Sequence, residues 1–447
     1  FQAEDGIRDC LLSRGLGDVY KRQLPYLERK GVAGSNQFAY RMKRGCKDAL
    51  AFNVLQWVYW LHLGKKVGLY CSDVSGAFDK VSSERLLKKL ENFGLGRKLL
   101  TFLRSWLAYR LAVVVVNGAF SSQTRLTNMV YQGTVLGPPL WNCFFGDVRS
   151  VALETGFLET LFADDLNCYK DYEATAAQEE VDSELKQCQA AVHRWGKANQ
   201  VEFDSTKESF HVLHRTQPEG EDFRMLGVLW DTKLSMQAEC EEVGKRAFAK
   251  VRSLLKLRRY YSTAQLVAQY KTHVLPVLEF PTPAVYHATN TALDNLDKVQ
   301  RHFLHELGLS REEALAQYNL APLCTRRDVA LLGLVHRTVL GEGPPHFARW
   351  FFTTAEQRHH YNTRRQAVLH NKQLYDWLGS DHTELLRRSP LGLVRVYNRL
   401  AQDVVDADST SSFQAKLQAL VKEAALRSEE NWELLLSPRR TWWVRHS

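Results

Sequence analysis

No stretch of this sequence approaches the roughly 18 consecutive apolar residues that a membrane-spanning helix needs. The longest β-branched run is the short Val113–Val116. A helical membrane span is therefore excluded, and no membrane partner is expected. Cysteine is sparse and scattered: eight residues (Cys10, Cys46, Cys71, Cys143, Cys168, Cys188, Cys240 and Cys324), with no pair at C-x-x-C spacing. That argues against a disulfide framework or a zinc ribbon and for a reducing, intracellular setting. Internal repeats and low-complexity tracts are also missing, which excludes collagen-like and disordered chains. What remains is an ordinary globular composition, 45% hydrophobic and 24% charged over 447 residues. At roughly 100–200 residues per domain, that length accommodates two to four domains. Lys and Arg number 59 against 50 Asp and Glu, a formal net charge of +9. A basic excess of this size suits a polyanionic partner.

The first 23 residues are set aside. They show no amphipathic period and no signal-peptide layout, and they resemble translated sequencing-adapter read-through. The natural chain is expected to begin upstream of Leu24. Four basic residues (Arg8, Arg14, Lys21, Arg22) and four acidic ones (Glu4, Asp5, Asp9, Asp18) cancel within the segment, so the +9 survives its removal. From Leu24 to Trp230, short apolar runs alternate with helical stretches. Val67–Cys71 predicts a buried strand, and Ser83–Phe93 a helix closed at Gly94. Leu111–Val116 predicts one strand entering a hairpin at Asn117-Gly118. Leu161–Tyr169 predicts a second hairpin with Asp164-Asp165 at its tip, and Glu179–Lys197 a helix. Phe210–His214 and Met225–Trp230 predict further short strands. The mixture indicates an α+β fold with helices on one face of a sheet. Val243–Leu278 holds eight basic residues and no acidic one. A helix there would put Lys245, Arg252, Lys256 and Arg259 on one face and Phe248, Val251, Leu254 and Leu255 on another. That is the pattern of a nucleic-acid backbone contact, or of a solvated charged face. Past Ser310 the chain reads as helices joined by Pro- and Arg-rich loops.

Carboxylates carry the chemistry. Asp73 follows an apolar strand, and Asp164 and Asp165 adjoin each other inside an apolar hairpin. Adjacent buried carboxylates are costly unless a cation neutralises them. A third carboxylate at the end of a neighbouring strand would complete an oxygen-rich site for Mg2+.

Six segments, in order, give this arrangement a family. Ser35-Asn36-Gln37-Phe38-Ala39-Tyr40-Arg41 with Asp48-Ala49-Leu50 resembles a fingers motif. Ser72-Asp73-Val74-Ser75-Gly76-Ala77-Phe78-Asp79-Lys80-Val81 resembles a first palm motif. Tyr131-Gln132-Gly133-Thr134-Val135-Leu136-Gly137-Pro138 resembles a Gln-Gly motif ahead of a long helix. Phe162-Ala163-Asp164-Asp165 resembles the catalytic hairpin. Trp195 through Asp204-Ser205-Thr206-Lys207 resembles the next palm motif. Leu226-Gly227-Val228 with Asp231-Thr232-Lys233-Leu234 resembles the primer-grip hairpin. Together they resemble the reverse transcriptase of LINE-type non-LTR retrotransposons. Telomerase and group II intron maturases share the palm motifs, but the Ala163 form of the hairpin fits the LINE type better.

The resemblance implies a right-hand polymerase fold: a fingers remnant and palm over residues 24–238, with an antiparallel sheet and the catalytic hairpin, then a helical thumb over 239–310. A C-terminal α-helical extension covers 311–447. It implies two Mg2+ ions, replaceable by Mn2+, held by Asp73 and Asp164 with Asp165 in support and the Val74 carbonyl in one shell. Phe78 would be a steric gate against the ribose 2′-hydroxyl; by itself the residue reads as a core aromatic on the turn after a strand. Gln132 and Gly133 would contact nucleotide and template. Lys207 would protonate leaving pyrophosphate, or is a plain surface lysine. Arg41, Lys43 and Arg44 would face the triphosphate, or form a solvated basic loop. The implied partners are an RNA template (the element's transcript), a DNA primer on target DNA, and dNTPs, within a nuclear and cytoplasmic ribonucleoprotein. No endonuclease is evident, and His359-His360 lack cysteines at metal spacing. A non-catalytic RNA-binding relic of the same fold is the alternative.

Overall fold

The computed structural model describes residues 24–108, 110–126, 128–354, 370–378 and 384–439. The segment 1–23 and the pair His359-His360 lie outside the described residues. In chain order the elements begin with α1 Leu24–Arg29, α2 Cys46–His62, β1 Lys66–Ser72, α3 Ser83–Asn92 and α4 Arg97–Leu107. Next come β2 Arg110–Ala112, β3 Val115–Val116, β4 Ala119–Phe120, β5 Thr124–Leu126, α5 Gly137–Phe145 and α6 Val148–Glu154. Then follow β6 Leu158–Phe162, β7 Asp165–Tyr172, α7 Gln178–Asn199, β8 Ser209–Leu213, β9 Phe223–Met225, β10 Val228–Trp230 and α8 Gln237–Leu255. Among the described residues the remaining elements are helices, including α9 Thr263–His273, α10 Leu275–Glu279, α11 Thr282–Val285 and α12 Asn290–Glu306. The chain divides into two compact units: residues up to Cys46 with Val67–Val212, and Lys47–Lys66 with Leu213 onward.

The first unit is built on a four-stranded sheet in the order β6-β7-β1-β8. All seven residues of β1 are buried. Both faces of this strand are therefore covered, and its unbroken apolar run is the pattern such a strand requires. At Gly68 a Cβ would stand 2.9 Å from the Tyr172 ring and 3.2 Å from Val181, so α7 packs tightly on one face. The buried stripe of α7 (Val181, Leu185, Cys188, Val192, Trp195) follows the helical period. Helix α3 forms as expected: the Ser82 hydroxyl caps it, Leu86 and Leu90 face inward, and Gly94 leaves it at φ 82°.

Two segments depart from the pattern. The expected strand Leu111–Val116 is broken. β2 pairs with β5, while β3 pairs only with β4 across the Asn117-Gly118 turn. Both turn residues have positive φ, 48° and 82°. The ribbon so formed leaves Leu111, Val113–Val116 and Phe120 exposed. The helix after the Gln-Gly segment is also interrupted, into α5 and α6. Between them a Cβ on Gly146 would lie 2.5 Å from the Val32 carbonyl oxygen, so the chain is pressed against a neighbouring loop there.

In the second unit, Met225–Trp230 is a hairpin rather than one strand. β9 and β10 turn at Leu226 (φ 53°) and Gly227 (φ 77°), with Met225 opposite Val228. Trp230 packs edge-on to Trp57 of α2 at 5.3 Å. Helix α8 presses Val243, Gly244, Ala247 and Val251 inward, and a Cβ on Gly244 would meet the Asn295 carbonyl of α12 at 2.6 Å. α8 ends at Leu255, with Lys256 as its C-terminal cap. Arg259 therefore lies past the end of the helix that carries Lys245 and Arg252, and Lys256 stands at that end.

Candidate active site

Strand β1 stops at Ser72, so Asp73 is the first residue beyond a fully buried element. A short antiparallel zipper fixes it. The Asp204 N–H donates to the Asp73 carbonyl and the Ser75 N–H to the Glu202 carbonyl, both at 2.9 Å. Val74 lies opposite Phe203, and these bonds do not use its carbonyl. The same zipper delivers Lys207, whose Nζ lies 2.5 Å from Asp73 Oδ2 and 3.8 Å from Asp204 Oδ2. Asp73 holds the Lys207 ammonium above its ordinary pKa.

Strand β7 stands beside β1 in the sheet. In the β6–β7 hairpin Phe162 pairs with Asp165, so the turn is only Ala163-Asp164. The two carboxylates are thus not equivalent: Asp164 occupies the turn, and Asp165 opens β7. Burial pushes both acids up in pKa, and the charge of Asp73 adds to each. Asp165 also feels Asp164 and rises to about 6. Hard oxygen donors that are partly buried and mutually repelling fit a hard divalent cation. Among the described residues, however, no three His, Cys, Asp or Glu side chains gather closely enough to chelate one metal ion. Asp73 is instead engaged by the Lys207 ammonium.

Two residues to which motif reading gave no role complete the turn. Gln37 Oε1 accepts the N–H groups of Ala163 and Ala39, both at 3.0 Å, and its Nε2 donates to the Ala163 carbonyl at 3.2 Å. Trp141 Nε1 donates to the same carbonyl at 2.9 Å. Gln37 lies inside the fingers motif and Trp141 four residues after Gly137, but nothing local in either position signals this contact.

Phe78 is nearly buried. Its ring stacks on Trp141 at 5.5 Å and meets Tyr40 edge-on at 6.3 Å. Gln132 and Gly133 are exposed. Gly133 is required by its φ of 74°, not by crowding, since no protein atom lies within 4 Å of where its Cβ would be. The basic loop is already engaged. The Arg41 guanidinium pairs with Glu28 and reaches the Gly34 carbonyl. Arg44 donates to the carbonyls of Ser35 and Gln37. Lys43 holds a positive φ of 58° in the same loop. The two arginines therefore brace the 34–37 segment instead of standing open to a triphosphate. Leu226 and Gly227 form the β9–β10 turn of the second unit and Val228 opens β10; Phe280 lies 3.6 Å from a Cβ built on Gly227. Lys245, Arg252, Lys256 and Arg259 are all exposed in that unit.

Over residues 9–230 the sequence matches the family described as reverse transcriptase (RNA-dependent DNA polymerase). It is 25% identical over 296 residues to the RNA-directed DNA polymerase from mobile element jockey of Drosophila funebris, covering 61% of this chain and 31% of that protein. It is 24% identical over 277 residues to the probable RNA-directed DNA polymerase from transposon X-element of Drosophila melanogaster, covering 57% and 30%. The chain thus spans about a third of the length of these relatives. A solved structure of telomerase from Candida albicans with a fragment of telomeric RNA aligns at a TM-score of 0.39 and 12% identity, over 68% of this chain and 56% of that one. The matched span contains Asp73, Asp164, Asp165 and Lys207, and over residues 9–230 this chain carries the likeness to the reverse transcriptase family.

Proposed function

We propose that this chain performs RNA-directed DNA synthesis as the polymerase of a LINE-type non-LTR retrotransposon. The observation that carries the reading is the adjacency of two strands: β1, which ends just before Asp73, runs beside β7, which Asp165 opens directly after the turn residue Asp164. A primer 3′-hydroxyl attacks the α-phosphate of a dNTP in line with departing pyrophosphate, and positioning supplies much of the rate. Asp73 and Asp164 would hold two Mg2+ ions, or Mn2+ in their place, with Asp165 and the Val74 carbonyl in support. Ions held there would supply activation of the hydroxyl and neutralisation of the leaving group. Lys207, beside Asp73, hands a proton to pyrophosphate. Phe78 bars a 2′-hydroxyl, and exposed Gln132 and Gly133 meet nucleotide and template. Lys245, Arg252, Lys256 and Arg259 bind the template–primer backbone. The template is the element's RNA, and nicked target DNA supplies the primer.

The test is Mg2+-dependent primer extension on an RNA template, comparing the chain with its Asp164→Asn variant. Extension by the first and not the second is expected. Template–primer binding without synthesis by either would overturn the catalytic reading in favour of an RNA-binding relic.

A further inference from the structure

We infer that Gln37 is the positioning residue that sets the catalytic turn, by holding Ala163 in a backbone conformation that alanine does not keep unaided. The inference rests on the polymerase reading of Asp164, because its consequence is where that carboxylate points.

Ala163 is the first of two residues closing the β6–β7 hairpin and has φ 58°. A two-residue hairpin with positive φ at its first position is ordinarily a place for glycine. A side chain there is strained, because Cβ crowds the backbone. Such a conformation persists only where the surroundings over-determine it. Here they do. The Gln37 carboxamide binds both backbone polar groups of Ala163, accepting its N–H at 3.0 Å and donating to its carbonyl at 3.2 Å. Trp141 adds a second donor to that carbonyl at 2.9 Å. Gln37 and Trp141 are themselves almost wholly buried, so the bonds form where water does not compete.

The clamp has a fixed base. Residues 36–38 run along β6: the Leu161 N–H donates to the Asn36 carbonyl and the Phe38 N–H to the Leu161 carbonyl, both at 2.9 Å. The Gln37 side chain therefore reaches the turn from a backbone already pinned to the same hairpin. The carbonyl it holds matters because a peptide group is planar. The Ala163 carbonyl shares its plane with the Asp164 nitrogen. Two donors on that oxygen fix the plane from which the Asp164 side chain departs. Only a group with donor and acceptor on one rigid plane can satisfy both sides of Ala163; a carboxylate lacks the donor, and an aliphatic chain lacks both.

The experiment is a double-mutant cycle between Gln37 and Ala163, read in single-nucleotide incorporation by the full chain. Gln37→Leu should lower kcat by about tenfold or more while KM for dNTP moves by less than about threefold, since misaiming a reacting group acts on turnover. In an Ala163→Gly background the same substitution should cost at least about threefold less, because glycine takes positive φ without help. A purely structural role for Gln37 gives equal losses in both backgrounds, and that result overturns the inference. Gln37→Glu, which keeps the acceptor for the Ala163 and Ala39 N–H groups but turns a second oxygen on the Ala163 carbonyl in place of the donor, covers the case in which the leucine variant fails to fold; its kcat should fall as well. A readout independent of activity runs in parallel: amide exchange in the peptide spanning residues 158–169 should quicken in either Gln37 variant. Unchanged exchange overturns the inference. Quickened exchange in the variants of a chain that makes no DNA upholds the clamp and rejects the polymerase reading instead.

Discussion

Phe78 joins two demands in one side chain. Its ring lies against Trp141 and Tyr40 in the core, yet it sits five residues past Asp73, just beyond the strand that delivers that carboxylate. Phe78→Val should therefore do two separable things. Removing most of a nearly buried ring costs roughly 1–3 kcal/mol of stability, seen as a lower melting temperature. It should also narrow the preference for dNTP over rNTP, measured as the ratio of kcat/KM values, by about tenfold. A lower melting point with unaltered discrimination would confine Phe78 to the core. At this scale the sequence was legible where chemistry is local. Asp73, Asp164, Asp165 and Lys207 stand in short motifs; the fold pairs Lys207 with Asp73 and sets the strand that precedes Asp73 beside the strand that Asp165 opens. Gln37 and Trp141 were not legible as parts of the site. The Gln37 contact spans 126 positions, and a buried amide or indole carries no local mark of what it will hold.

Among the elements, the basic stripe is where periodicity misled. Helical spacing put Lys245, Arg252, Lys256 and Arg259 on one face, but α8 ends at Leu255 and a new cap at Ser262 starts α9. Nothing between Leu254 and Tyr261 is glycine or proline, so the stop has no strong sequence signal. The stripe therefore divides into a helical pair, Lys245 and Arg252, and a pair at and past the helix end, Lys256 and Arg259. Reversing either pair to Glu should weaken template–primer binding, and the slope of log K against log salt should fall by about one for each phosphate no longer neutralised. If only one pair changes the slope, the other is solvated charge. The same limit explains the broken Val113–Val116 run. β-branched residues favour extended backbone, but pairing partners, not propensity, decide where a strand ends. The β6–β7 hairpin, β1, α3 and α7 were legible because each carries a full period of buried positions.

For the molecule as a whole, pH also acts through buried charges other than the candidate site's carboxylates. Glu159 on β6 is fully enclosed, with Arg149 Nε at 3.1 Å, and burial still lifts its pKa to about 7. A carboxyl whose pKa is raised on folding contributes its stability below the unfolded value and loses it as pH climbs through the folded one. The first unit should therefore weaken between about pH 4.5 and 7, by up to about 3 kcal/mol from this group. Glu159→Gln should raise the melting temperature at pH 8 and leave it nearly unchanged at pH 5. Equal melting shifts at both pH values would mean that Glu159 is not the source. In the second unit, burial instead depresses His287 to about 4 and lifts Asp328 to about 7, so protonation of one and ionisation of the other work against each other.

The valine-rich ribbon has a colloidal consequence. Leu111, Val113–Val116 and Phe120 form an exposed apolar strip on two short antiparallel pairs. Water wets such a strip poorly, and another strip of the same kind covers it well. Concentrating the purified chain will therefore drive reversible clustering that grows with protein concentration and is insensitive to salt. Its scattering will rise with concentration even where its net charge of +9 should keep copies apart.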